Sequence, residues 1–150
     1  MLSSSTAFKT AVAANPNTLF KASLNLADNT TIQLTEADVM EATQTYTEGV
    51  SSDGSFDVGA AIIGKFTLAL DNSDETYSDY SFEGSTITPQ IGAVLASGAT
   101  SWLQKGIYGV EQPNTYGTVI SLTCYDNMRL FEKDYSEVST TYPANLRTIV

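Results

Sequence analysis

The chain has 150 residues, with 17 acidic against 7 basic, no histidine and one cysteine, giving a net charge of −10. That balance argues against free nucleic-acid binding, which needs Lys and Arg clustered on phosphates, and disfavours an anionic membrane surface. Without histidine there is no Ser-His-Asp or Cys-His nucleophile and no ordinary zinc site; one cysteine makes no intrachain disulfide, and no apolar run reaches 18 residues to span a bilayer.

The length suits one domain that buries about 70% of the unfolded chain's surface. The acidity serves solubility or a partner with a basic face. Near the start stand Lys9 and small residues but no apolar h-region, so no signal peptide is expected. Ser3 to Asn15 reads as a short helix, capped by Ser4, Ser5 or Thr6, with Phe8, Ala11 and Val12 on one face. Asn15-Pro16-Asn17 ends it.

Leu19 to Leu26 alternates, Phe20, Ala22, Leu24 and Leu26 against Lys21, Ser23 and Asn25. Asp28-Asn29 turns the chain into Thr30 to Leu34, which makes a β-hairpin. Thr35 and Asp38 have the spacing of a capping box. Thr43 to Val50 is expected as a polar, exposed strand, and Ala60 to Leu70 as the central strand, with Gly64 marking a bulge. Asp71 to Asp79 reads as a loop or brief helix. Thr86 to Ala96 is a strand in which Pro89, lacking an N–H, implies an edge or a bulge. Ser97-Gly98 turns into a strand from Thr100 to Gly106.

Gly106 to Val110 reads as one strand, and Pro113, Asn114 and Gly117 mark the reversal after it. From Val119 to Tyr125, Ile120, Leu122 and Cys124 share a face opposite Ser121 and Thr123. Asp126 then caps a short helix whose Met128, Leu130 and Phe131 pack back on the sheet. Tyr142 to Val150, with Pro143 in its first turn, starts another helix with Leu146, Ile149 and Val150 on its apolar face. Seven or so strands with little helix predict an all-β fold, an antiparallel β-barrel or sandwich-like barrel with short flanking helices.

Candidate sites are sparse. Asp71, Ser73 and Glu75 have the alternate spacing of a calcium loop but lack its glycine and closing glutamate; Asp53 and Asp57 flank Gly54 and could also offer oxygens. Solvated loops account for both sets, so no metal, cofactor-binding or catalytic residue is assigned. No carboxylate pair has a local reason for a shifted pKa, and the chain is expected not to be an enzyme. Trp102, Tyr108 and Tyr116 suggest an alternative, a carbohydrate- or receptor-binding β module, though strand aromatics also serve as core or cross-strand pairs.

GIYGVE at Gly106–Glu111, VISLTCYDNMRLFEKDY at Val119–Tyr135 and SFDVGAAIIGKFTLAL at Ser55–Leu70 together resemble the first β-barrel domain of phage and prophage tail hub proteins. That group includes tail-associated lysins and baseplate hubs. The Gln112-Pro113-Asn114 loop departs from the pattern. The resemblance implies a virion structural protein that caps a tail tube as a trimer, two barrels per chain making a pseudo-sixfold ring. Its partners would be tail tube, distal tail or baseplate proteins, with no nucleic acid and no membrane. It would be assembled in the bacterial cytoplasm and end in the phage tail. In tail-associated lysins the hydrolase lies beyond the hub domains, so no activity is implied here. On this view residues 1–140 form one hub-type barrel, and residues 141–150 begin a following segment of a longer polypeptide.

Overall fold

The structure, a computed structural model, describes residues 4–15, 17–47, 63–113 and 116–131. Asp53, Asp57, the 48–62 part of the expected strands, the Leu130 and Phe131 side chains and the helix expected at Tyr142–Val150 lie outside the described residues.

Helix α1 covers Thr6–Ala14, and β1 and β2 cover Leu19–Asn25 and Thr31–Thr35. The 3-10 turn η1 covers Glu36–Asp38, and β3 and β4 cover Thr45–Thr47 and Lys65–Asp71. Strands β5, β6, β7 and β8 cover Thr86–Val94, Thr100–Gln104, Tyr108–Val110 and Val119–Tyr125, and the 3-10 turn η2 covers Asn127–Phe131. All strand pairs are antiparallel, in the order β2-β1-β5-β7-β8-β4-β3, with β6 also on β5. This is the mostly antiparallel β fold that the alternation implies.

Alternation decides which residues meet inside. Phe20, Ala22 and Leu24 of β1, Phe66, Leu68 and Leu70 of β4 and Ile120, Leu122 and Cys124 of β8 are buried in one cluster. Leu68 pairs with Leu122, and Leu70 with Ile120. Among the described residues the sheet curls without closing: its terminal strands β2 and β3 do not pair with each other. The chain joins them instead. Beyond η1, Val39 bridges Leu70, and Met40 N–H donates to the Ala69 carbonyl at 2.9 Å. The result is a partly open barrel.

Strand β5 is not an edge. It pairs with β1 along Leu19–Asn25, and on its other side with β6 and then β7. The bulge alternative is the one found, on the facing chain. Gln90 pairs with Gln104 and Ile87 with Tyr108, so Lys105, Gly106 and Ile107 oppose only Thr88 and Pro89. Pro89 accepts from Lys105 N–H at 3.0 Å. A strand residue's N and O point the same way, so the missing proline N–H falls where the ladder is already interrupted. The extra residue also reverses the alternation, letting Tyr108 and Val110 point inward while Ile107 is exposed. Hence Gly106–Val110 is not one strand; only Tyr108–Val110 is.

Other local expectations divide. Ser5 caps α1 by accepting from Phe8 N–H at 3.1 Å, and Phe8 is buried. Thr35 and Asp38 form the capping box. Asp126 Oδ1 accepts from Met128 N–H at 3.0 Å, as a cap should, but Met128 is exposed rather than packed on the sheet. Gly64 is not a bulge. It precedes β4, where a Cβ would lie 2.7 Å from Asp126 Oδ2, and its carbonyl accepts from Asp126 N–H. Tyr46 makes β3 less than fully exposed, because it stacks on Phe66 across the pair at 4.6 Å.

Candidate assembly surface

The loop between β4 and β5 is acidic outside and anchored inside. Asn72, buried, uses its whole amide: Nδ2 donates to the Gly117 carbonyl at 2.9 Å and to Ser78 Oγ at 3.1 Å, and Oδ1 accepts from Tyr77 N–H at 2.8 Å. Tyr77 and Phe82 are buried in the main core, and Phe82 stacks on Tyr116 at 5.9 Å. The anchoring roles of Asn72, Tyr77 and Phe82 were not foreseen from the sequence; the signal was three aromatics, Tyr77, Tyr80 and Phe82, within an otherwise polar loop. Tyr77 OH donates to Asp38 Oδ1 at 3.0 Å, tying the loop to η1.

These contacts shift both partners. Burial pushes Asp38 up, but hydrogen bonds from Thr35 and Tyr77 outweigh it and hold the carboxyl below its ordinary value. Burial, then the bond and charge of Asp38, push Tyr77 up to about 12. Hydrogen bonds from Thr76 hold Asp74 low, and those from Thr30 hold Asp28 low.

The calcium-loop residues are used locally. Asp71 Oδ1 accepts from Ser73 N–H at 3.0 Å, and Glu75 sits at φ +61°, directing the loop back. Among the described residues, no three Asp, Glu, Cys or His converge as an ion would require. Trp102, Tyr108 and Tyr116 share no platform. Tyr108 is 3% exposed in the core, Tyr116 is packed on Phe82, and Trp102 lies on the outer face. The bulge between Trp102 and Tyr108 is the reason, since it puts them on opposite faces.

Cations gather around the start of β4 and the end of β8, beside Gly84 and Ser85 at the end of the β4–β5 loop. Lys65 and Arg129 lie 6.0 and 4.8 Å from the Tyr125 ring, and Lys105 lies 5.1 Å from the Tyr46 ring. Arg129 also approaches Glu111 at 3.7 Å, with both side chains half exposed.

Three strands, β2, β3 and β6, have one side with no described strand partner. β6 reads Thr-Ser-Trp-Leu-Gln, without the charge or proline that guards an exposed edge. Between the start of β1, η1 and β3 lies a cleft of about 660 Å³. Phe20, Val39, Tyr46 and Ile91 line it, with Glu36 and Glu41 beside them. Glu36 Oε1 accepts from Phe20 N–H at 2.9 Å, which fixes that carboxylate in place.

No protein-family model and no curated protein matches the chain. Among solved structures, a chain described as "Virion of native gene transfer agent (GTA) particle" is similar in fold, with a TM-score of 0.62 at 8% sequence identity. The match covers 89% of this chain and 49% of that one, so the chain spans about half the length of its structural neighbour.

Proposed function

We propose that the chain is a structural barrel of a phage-like virion that acts by binding other virion proteins rather than by catalysis. The observation that carries this reading is the fold likeness to a virion chain over 89% of the residues. The edge of β6, uncharged and without a described strand partner on one side, supports it, because an open edge is a means of docking protein on protein. The finer reading is a tail hub or baseplate barrel, trimeric in the complete protein, contacting tail tube and distal tail proteins. Its support is the GIYGVE and VISLTCYDNM pattern, which contains β7, its sheet neighbour β8 and the start of η2 directly after it.

The test is particle fractionation. Particles purified by density gradient from cells expressing the chain should carry it at a fixed ratio to the tail tube subunit. Its absence from intact particles, with soluble chain left at the top of the gradient, overturns the structural reading. Finding it in heads but not in tails overturns the hub alone.

A further inference from the structure

We infer that the cleft between β1, η1 and β3 is a socket for a cationic side chain, Arg or Lys, projecting from a partner protein. The inference rests on the assembly reading and names the chemistry of one contact within it. The lining is mixed: Thr18 and Gln44 are polar, and Phe20, Val39, Ile91 and Tyr46 supply the apolar surface along which a methylene stem would lie. The rim is anionic where the charged head would sit, through Glu36 and Glu41.

Glu36 is preorganised. Its Oε1 is engaged by Phe20 N–H, so the carboxylate need not lose freedom when a cation arrives. Tyr46, stacked on Phe66 and covered by Lys105 at 5.1 Å, is a fixed wall of the cleft rather than a further cation site. Even with Lys105 counted against them, Glu36 and Glu41 leave the surroundings of the cleft net negative. An anionic ligand would meet both glutamates, while a neutral apolar one would leave them desolvated without a partner. The chain's net charge of −10 favours the same class of partner at longer range.

The experiment is a chemical-shift titration of the ¹⁵N-labelled full chain with N-acetyl-arginine methylamide. N-acetyl-citrulline methylamide, of nearly the same shape but neutral, is the control. Arginine should shift the amides of Phe20, Glu36, Ala42, Gln44 and Tyr46, and citrulline should leave them in place. A double variant, Glu36→Gln with Glu41→Gln, should bind arginine roughly tenfold more weakly, the loss expected for two partly exposed charge pairs. Glutamine keeps a carbonyl oxygen for Phe20 N–H, so the fold should survive, and thermal melting checks it. If the double variant unfolds, Glu41→Gln alone must still weaken binding. Equal shifts with citrulline, shifts centred on the β4–β5 loop, or undiminished binding by the variant would each overturn the socket. Particle fractionation is independent of all three outcomes, so a failed socket and a failed assembly reading are separable.

Discussion

Gly92 lies directly beneath Trp102: a Cβ on the glycine would stand 2.7 Å from Cζ3 of the indole. The two pair across β5 and β6, and Lys21 of β1 covers the ring with Nζ 4.2 Å from its centroid. Trp102 is the sole tryptophan, so selectively excited tryptophan emission reports this stack alone. Gly92→Val should push the indole outward, red-shift its emission and increase iodide quenching, with a loss of melting temperature. An unchanged emission spectrum would mean that the ring does not rest on Gly92.

Leu68 meets Leu122 across β4 and β8, and both are almost fully buried. Leu68→Ala should cost about 2–5 kcal/mol in urea unfolding, from lost transfer energy and the cavity left behind. A cost below about half a kcal/mol would mean that the register is wrong, because a one-residue slip would move Leu68 to the solvent face.

The Asp38–Tyr77 bond has opposite signs at the two ends of the pH scale. Asp38 is depressed, so its contribution is complete above the ordinary value of 3.8 and is lost as pH falls from there through the lower folded value. Tyr77 is raised, so its contribution is complete below 10.0 and is lost as pH rises through about 12. Tyr77→Phe should flatten the alkaline limb of the stability curve, and Asp38→Asn the acid limb. Parallel curves for wild type and both variants would refute the coupling.

Cys124 is fully buried, and burial followed by the nearby charge of Glu111 pushes its thiol up to about 12. Because the thiolate is the reactive form, the native chain should react with Ellman's reagent only slowly at pH 8, at a rate set by opening. Denaturant should make the reaction fast. Rapid labelling in native buffer would place Cys124 outside the core.

Calcium should leave the melting temperature unchanged, because the Asp71 carboxylate is engaged by Ser73 N–H and no described cluster converges beside it. A large rise with calcium that Asp71→Ala abolishes would show a site there.

The period-2 alternation by itself determined the β1–β2 hairpin and the buried faces of β4 and β8, because facing is a local property of an extended chain. Caps were equally legible: Ser5, Thr35–Asp38 and Asp126 satisfy backbone donors within three residues of themselves. Only the tertiary structure decided what depends on distant neighbours. Pro89 is compatible with an edge or a bulge until the facing chain is known, and that chain supplies one residue too many at Lys105–Ile107. The same insertion separates Trp102 from Tyr108, two of the three aromatics that suggested a binding platform. Asn72 looks like any loop asparagine until Gly117, 45 residues away, accepts its proton. The cleft beside Glu36 brings together β1, η1, β3 and Ile91 of β5, and such an arrangement depends on register summed around the strands, which no single strand's sequence encodes.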